Sequence, residues 1–238
     1  LQDLMNQKGF ETNIAKAAIN NEPFIELQLD NNFTAPGLIQ EAYKLIAATG
    51  KIIITAKTPQ GIFYGLQTLQ QLMRDGVMVN ACEILDWPSF AWRGYMIDVG
   101  RNYQSMELLK QQIDIISKYK LNIFHFHPTE DIAWRIAIKQ YPQLTAPEHM
   151  LRNKGMYYSE AEIKELIAYC KERYITFVPE IDMPGHSAAF KRAMKTDMQS
   201  DSGLMIVKNI LKEFIETYDL PYIHIGADEG NLQLVCLA

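Results

Sequence analysis

Two adjacent carboxyl groups, Asp228 and Glu229, follow an apolar segment near the end of the sequence. When neighbouring carboxylates are both ionised they repel each other, which raises the pKa of one and lets it act as a general acid near neutral pH. The same dipeptide is also typical of an acidic helix N-terminus without any catalytic role. Three earlier apolar segments are also followed by polar side chains, and this shared position favours acid–base catalysis for the dipeptide.

Polar side chains also follow three earlier apolar segments, and they are Asp98, Arg101, His127, Glu130, Asp131, Glu180, Asp182 and His186. His186 ends the run PEIDMPGH, in which Pro184 and Gly185 predict a sharp turn. An imidazole between carboxylates can tune the pKa of a neighbouring acid, although a lone histidine is more often structural. The planar guanidinium of Arg101 suits sugar hydroxyls or a carboxylate, and a surface salt bridge explains it equally well.

Histidines suggest a second chemistry. His125 and His127 lie on one face of a predicted strand, and His186, His224 and Asp228 follow later in the sequence. Imidazoles and a carboxylate gathered at strand ends hold the metal of barrel metallohydrolases, so a metal-dependent barrel hydrolase is an alternative hypothesis. The strand ends carry more carboxylates than a metal site requires, which favours a site without a metal.

The elements that must position these groups alternate between strands and helices after residue 86. Apolar strands are predicted at residues 93–99, 122–127, 176–182 and 222–226. A capping box formed by Ser159 and Glu162 predicts one of the helices between them. Apolar residues at helical spacing predict two more, with Leu109, Ile113 and Ile116 in the first stripe and Leu204, Val207, Leu211, Phe214 and Tyr218 in the second.

Apolar strands separated by helices are typical of a parallel sheet covered by helices. No glycine-rich phosphate loop follows any of the four strands, which counts against a doubly wound nucleotide-binding sheet. Polar groups at the carboxyl end of every strand are what a (β/α)8 TIM barrel requires. Because a complete barrel takes about 250 residues, the sequence predicts an α/β fold in which the barrel is represented by its first four βα units.

The first part of the sequence has a different pattern. Residues 24–30 alternate apolar and polar, and Thr58 with Pro59 predicts the start of a helix. Residues 41–56 predict two β runs around Thr49 and Gly50, although a short helix also fits their first half. The stripe of that helix is Ile62, Leu66, Leu69 and Met73. We therefore expect a small accessory α+β domain over residues 1–86 and the first half of a catalytic barrel over residues 87–238.

Composition restricts the classes of function. Asp and Glu outnumber Lys and Arg by 28 to 23, a formal net charge of −5, which counts against nucleic acid as a partner. No apolar run is long enough to span a membrane, and no signal peptide is visible. Because the sequence lacks an initiator methionine, we expect a processed product or a piece of a longer chain. Cys82, Cys170 and Cys236 are too few for a disulfide framework, and we expect structural thiols.

Seven segments together resemble glycoside hydrolase family 20, the β-N-acetylhexosaminidases. They are GIFYGLQTLQQL (61–72), WRGYMIDVGRNY (92–103), KLNIFHFHPTEDIAWRI (120–136), YPQLT (141–145), YYSEAEI (157–163), VPEIDMPGH (178–186) and HIGADE (224–229). They occur in the order found in the family, and the motifs PEIDMPGH and GADE are specific to it. The first domain resembles the small α+β domain that precedes the barrel in the family.

The resemblance implies removal of a terminal, non-reducing β-linked N-acetylglucosamine or N-acetylgalactosamine with retention of configuration, from glycans or glycoconjugates. The acetamido oxygen of the substrate acts as the nucleophile and forms an oxazolinium. By resemblance Glu229 is the general acid, Asp228 orients the acetamido group, and Arg101 binds sugar hydroxyls. His186 and Glu130 fall at positions that support the acid through hydrogen bonds. No metal or organic cofactor is implied, and a secreted, periplasmic or lysosomal location is compatible with the family.

The sequence departs from the family pattern at several positions. Glu130 stands where an aspartate is usual, and Ala227 stands where a glycine is common. The sequence also ends soon after the acid, before the strands that carry the aromatic walls of the acetamido pocket in the family. This leaves an inactive carbohydrate-binding or structural remnant as another hypothesis.

Overall fold

A computed structural model of the chain describes residues 5–6, 12–16, 22–73 and 78–229. The chain divides into two compact units. One comprises Leu1–Trp92 with Lys118–Lys120, and the other comprises Arg93–Ser117 with Leu121–Ala238. Cys236, one of the three predicted structural thiols, lies outside the described residues. None of the helices within the described ranges is long and apolar enough to cross a lipid bilayer.

The first unit contains a four-stranded mixed sheet and one described helix. Its strands are β1 (Phe24–Leu29), β2 (Tyr43–Ala48), β3 (Lys51–Ala56) and β4 (Cys82–Asp86), in the spatial order β1-β3-β2-β4. The β1 and β3 strands are parallel, whereas β2 is antiparallel to both β3 and β4. These strands confirm the two β runs around Gly50, whose φ of +73° suits a tight connection.

Helix α1 (Pro59–Leu72) covers one face of this sheet. It begins as predicted, because the Thr58 side chain accepts a hydrogen bond from the Gly61 N–H at 3.1 Å. Its buried residues include Ile62 and Leu69, which join Leu45 and Ile54 of the sheet in one hydrophobic cluster. The predicted α+β class of this region is therefore confirmed.

The second unit contains a parallel sheet of three strands, β5 (Gly94–Asp98), β6 (Ile123–His127) and β7 (Thr176–Pro179), in the order β5-β6-β7. Its helices are α2 (Met106–Lys118), α3 (Glu160–Lys171), α4 (Ala188–Met194) and α5 (Asp201–Thr217). The fourth predicted strand is reduced to a single parallel bridge between Glu180 and His224. The alternation of parallel strands and helices confirms the predicted α/β class and the start of a (β/α)8 barrel.

The two faces of this parallel sheet differ in chemistry. Partners in the strand register share a face, and successive residues of one strand alternate between faces. Phe124, Phe126 and Phe177 lie on the face that packs into the main hydrophobic core, with the Phe126 and Phe177 ring centroids 5.3 Å apart. His125 and His127 alternate with these aromatic residues on β6 and therefore lie on the opposite face. The sheet thus buries an aromatic face and carries ionisable groups on the other.

The predicted helices form, with one error. The capping box at Ser159 and Glu162 is present at the start of α3, and Leu109, Ile113 and Ile116 are buried on α2. On α5 the buried stripe is Gly203, Val207, Ile210 and Phe214. Leu204 is 47% exposed, so its assignment to the buried stripe was wrong. On a largely apolar helix, apolar stripes on adjacent faces are displaced by one residue in sequence. Packing against the rest of the protein decides which of these faces is buried.

Candidate active site

All five predicted site residues lie beyond the carboxyl ends of the parallel strands. Arg101 follows β5, Glu130 follows β6, and His186 follows β7 in the segment between β7 and α4. Asp228 and Glu229 follow the segment in which His224 forms a bridge to Glu180, the residue directly after β7. Because parallel strands end at the same edge of a sheet, this topology brings distant parts of the sequence together.

Glu130 is the buried centre of this group, with only 2% of its surface exposed. Its Oε1 atom forms an ion pair with the Arg101 guanidinium and lies 3.0 Å from His186 Nδ1. Arg101 also contacts Asp98, with 2.7 Å between Nη1 and Oδ2. The longer side chain of Glu130, in place of the usual aspartate, therefore reaches both a cation and the imidazole.

The His186 ring lies between Glu130 and the adjacent acids. Its Nε2 atom is 3.7 Å from Asp228 Oδ2 and 3.5 Å from Glu229 Oε2. The side chains of Asp228 and Glu229 are 68% and 80% exposed, whereas that of His186 is 14% exposed. A series of contacts thus runs from Arg101 through Glu130 and His186 to the acid pair, and it joins all five predicted residues.

The segment that carries the acid pair has an uncommon backbone. Gly226, Ala227 and Glu229 have φ values of +67°, +79° and +48°. This left-handed region suits glycine, whereas other residues pay about 1 to 2 kcal/mol there. His186 is also left-handed, with φ +44°. Such backbone persists only where surrounding contacts hold it, and it clusters at functional sites.

Asp182 supplies one of these contacts and was not among the predicted site residues. Its side chain is fully buried, and Oδ1 accepts the Ala227 N–H at 3.1 Å. A Cβ on Gly226 would lie only 1.8 Å from the same oxygen, so no other residue fits there. Burial raises the pKa of Asp182, and the charges of Asp228 and Glu180 raise it further, against the Ala227 N–H, which lowers it. The sequence feature that could have predicted this role is the position of Asp182 inside the motif PEIDMPGH.

Glu180 is the centre of a second cluster on the same face of the sheet, with 4% of its surface exposed. Its Oε2 lies 2.6 Å from His125 Nε2 and 2.8 Å from His127 Nδ1, and its Oε1 lies 3.2 Å from His224 Nδ1. Burial raises the pKa of Glu180, but the hydrogen bonds and charges of His125 and His127 outweigh this and hold it well below the usual range. Burial lowers the pKa of His127, but Glu180 outweighs this and raises it.

The residues of the metal hypothesis are divided between these two clusters. His125, His127 and His224 surround Glu180, whereas His186 and Asp228 belong to the Glu130 group. Ligand atoms of His125, Glu180 and His224 do lie within 4.8 Å of one another, so these three could hold a cation. The five residues do not form the single centre that the hypothesis expected.

Arg135 is a further residue that the sequence analysis missed. Its guanidinium is fully buried and donates to four backbone carbonyls, those of Gly100 (3.1 Å), Arg152 (2.9 Å), Asn153 (3.2 Å) and Met156 (2.8 Å). Burial lowers its pKa. Because Gly100 precedes Arg101, Arg135 fixes the loop that presents Arg101. The sequence feature that could have predicted this buried role is a charged residue inside an otherwise apolar run around Trp134, whose indole is itself buried in the core.

Two family models match the chain. Residues 90–202 match "Glycosyl hydrolase family 20, catalytic domain", and residues 1–87 match "Glycosyl hydrolase family 20, domain 2". Among curated proteins, a beta-hexosaminidase of Porphyromonas gingivalis is 35% identical over 233 residues, which cover 82% of this chain and 30% of that protein. A beta-hexosaminidase of Vibrio furnissii is also 35% identical, with 82% and 38% covered. The chain thus spans about a third of the length of these relatives.

Solved structures agree with the family models. The beta-N-acetylhexosaminidase of Bacteroides fragilis superposes with a TM-score of 0.81 and 33% identity, covering 97% of this chain and 51% of that chain. The Streptomyces plicatus N-acetyl-beta-hexosaminidase in complex with Thio-NAglucal gives 0.77 and 31%, covering 86% and 47%. Fold, motifs and both family models agree, and this chain belongs to glycosyl hydrolase family 20.

Proposed function

We propose that the chain carries the catalytic acid pair of a retaining exo-β-N-acetylhexosaminidase, which removes terminal non-reducing N-acetylglucosamine or N-acetylgalactosamine from glycans or glycoconjugates. The observation that carries this proposal is the position of His186, between buried Glu130 and the adjacent Asp228 and Glu229. We further propose that residues 1–86 form the accessory domain and residues 87–238 the first half of the catalytic barrel.

In the proposed reaction Glu229 first acts as the general acid. It donates its proton to the glycosidic oxygen as the bond to the anomeric carbon breaks. The acetamido oxygen of the substrate attacks the same carbon and forms an oxazolinium. Glu229, now a carboxylate, takes a proton from a water molecule. The oxygen of that water attacks the anomeric carbon and breaks its bond to the acetamido oxygen, which opens the oxazolinium ring. Two inversions at this carbon give net retention.

Asp228 and Arg101 act on the substrate in this scheme. The Asp228 carboxylate orients the acetamido group and stabilises the positive charge that develops on it as the oxazolinium forms. Arg101 is held by Asp98 at Nη1 and by Glu130 at Nη2, and half of its side chain is exposed. The remaining donors of its planar fork are available for sugar hydroxyls.

His186 and Glu130 support the acid without touching the substrate. With its Nδ1 facing Glu130, the imidazole directs Nε2 at Asp228 and Glu229. A ring with its proton on Nδ1, toward Glu130, has a bare Nε2 that accepts a hydrogen bond from the carboxyl proton of Glu229. Glu130 fixes this tautomer, and Arg101 compensates the buried charge of Glu130.

One observation favours the alternative of a carbohydrate-binding or structural remnant. Asp228 and Glu229 are largely exposed, whereas general-acid and oxazolinium chemistry is favoured in a site that excludes water. In water the electrostatic support of the acid pair is weak. The two hypotheses therefore differ in whether the chain turns over substrate.

Hydrolysis of an aryl N-acetyl-β-glucosaminide, followed by release of the chromophore, tests the proposal. An active chain loses about 10²- to 10⁴-fold in rate in Glu229→Gln, which keeps the shape of the side chain and removes the acid. Glu172→Gln, at a position 74% exposed, is the matched control and keeps the wild-type rate. A folded chain that releases no chromophore supports the remnant, and activity lost to a chelator supports the metal-dependent hydrolase.

A further inference from the structure

His224 lies between the Glu180 cluster and the acid pair, four residues before Asp228. Its ring packs against that of His125, with centroids 4.7 Å apart, and its Nδ1 atom lies 3.2 Å from Glu180 Oε1. The same Nδ1 accepts a hydrogen bond from the Gly226 N–H at 3.1 Å. One nitrogen therefore faces both the buried cluster and the backbone that leads to the acids.

The backbone from His224 to Ala227 is held at each step. The His224 N–H donates to Pro179 O at 2.9 Å, and its carbonyl accepts the Ile181 N–H at 3.0 Å. The Ala227 N–H donates to Asp182, and the Gly226 N–H donates to the His224 ring. Because this stretch passes into left-handed conformations at Gly226 and Ala227, the two side-chain acceptors oppose a return to ordinary backbone angles.

The two contacts of His224 Nδ1 exclude each other. Accepting the Gly226 N–H requires a bare Nδ1, with the ring proton on Nε2. A proton on Nδ1 would be donated to Glu180 Oε1 instead and would leave the Gly226 N–H without this acceptor. Glu180 already has two other imidazole partners, His125 and His127. The Gly226 N–H is aligned to donate to Nδ1 at 3.1 Å, so the structure has the first arrangement, and Glu180 keeps both imidazoles at its Oε2 atom.

We propose that His224 is a positioning residue: its Nδ1 accepts the Gly226 N–H and holds the turn that presents Asp228 and Glu229. The His224 ring packs against His125 and accepts the Gly226 N–H, so it connects the Glu180 cluster to the backbone that leads to the exposed acids. The consequence for catalysis rests on the proposed function, whereas the hydrogen bond and its effect on the turn do not.

Amide hydrogen exchange of Gly226, measured by NMR, tests the hydrogen bond without requiring activity. In His224→Ala the amide exchanges about fivefold faster, as expected for loss of one ordinary hydrogen bond. In His224→Asn the amide oxygen takes the place of Nδ1, and exchange stays within about twofold of wild type. His224→Gln places its amide near the position of Nε2 and exchanges like the alanine variant. His149→Asn, a histidine outside both clusters, is the control.

Unchanged Gly226 exchange in the alanine variant overturns the proposal, and so does equal rescue by asparagine and glutamine. Amides of β6 report on global unfolding and must exchange equally in all variants, which separates positioning from loss of fold. If the chain hydrolyses the aryl substrate, kcat falls between about tenfold and 100-fold in His224→Ala with KM nearly unchanged, and asparagine restores it. Altered exchange without any hydrolysis in wild type contradicts the proposed function and leaves the positioning role intact.

Discussion

Glu130 and Glu180 are both almost fully buried carboxylates beside histidines, but their partners differ. Glu130 pairs with Arg101, whose charge is permanent, and with one histidine, His186, whose other ring nitrogen faces the acid pair. Glu180 is surrounded by three histidines and contacts no Lys or Arg among the described residues. The charge of Glu130 is thus balanced at every pH, whereas that of Glu180 is balanced only while imidazole protons are present. In the proposed function the first group acts on the substrate, whereas the second connects neighbouring strands of the sheet.

Removing each carboxylate gives the largest expected effect and tests this contrast directly. Glu180→Gln lowers the free energy of unfolding by about 3 to 5 kcal/mol, because the buried His127 and the partly buried His125 lose their charged partner. Glu130→Gln lowers it by about half as much, because the Arg101 side chain is half exposed and retains Asp98. Urea unfolding of the two variants measures the difference. Equal losses would show that the two clusters are energetically alike.

His186→Ala sharpens the contrast from the functional side. If the proposed reaction occurs, we expect kcat for the aryl substrate to fall about 100-fold, since the acid loses the imidazole that contacts and orients it. Stability changes by less than about 1 kcal/mol, because Glu130 keeps its ion pair with Arg101. The matched variant His127→Ala lowers stability more, because His127 is buried against Glu180. A variant pair with the reverse pattern contradicts the division of roles.

The pH dependence of stability distinguishes the clusters further. The raised pKa of His127 contributes stability that is complete below 6.5 and is lost as pH rises through the folded value. The lowered pKa of Glu180 contributes stability that is complete above 4.5 and is lost as pH falls toward the folded value. The pair therefore stabilises most between about pH 5 and 6. In wild type we expect the free energy of unfolding to be about 1 kcal/mol lower at pH 8.5 than at pH 5.5. If the same decrease persists in Glu180→Gln, other groups cause it.

The smallest expected effect concerns the backbone between the clusters. Ala227 has φ +79°, so Ala227→Gly removes steric strain at that position and stabilises the chain by about 0.5 to 1 kcal/mol. The gain in the free energy of unfolding is smaller than the strain energy that is removed, because glycine loses more backbone conformational entropy on folding than alanine does. Thermal unfolding measures it. Ala48→Gly, within β2, is the control and destabilises the chain; stabilisation by both changes would show that strain at residue 227 is not the cause.

Local signals in the sequence predicted most elements of secondary structure. The capping box of α3 and the Thr58 cap of α1 form as expected because their hydrogen bonds join residues three positions apart. The last predicted strand is reduced to one bridge at His224, and on α5 Leu204 is exposed whereas Ile210 is buried beside the predicted Val207. Strand pairing and helix orientation depend on distant partners, which no local pattern specifies.

The five predicted site residues converge because they follow parallel strands, a consequence of topology that could be read from the sequence. Which carboxylate meets which histidine could not be read, since His125 and His127 contact Glu180 more than fifty positions away while His186 contacts Glu130. Nor could the left-handed backbone of Ala227 or the burial of Arg135. By itself the sequence determined the elements, the motifs and the family, because these depend on residue types and short spacings. Only the tertiary structure decided the partners of each charge, because burial and distance between ionisable groups arise when separate strands pack together.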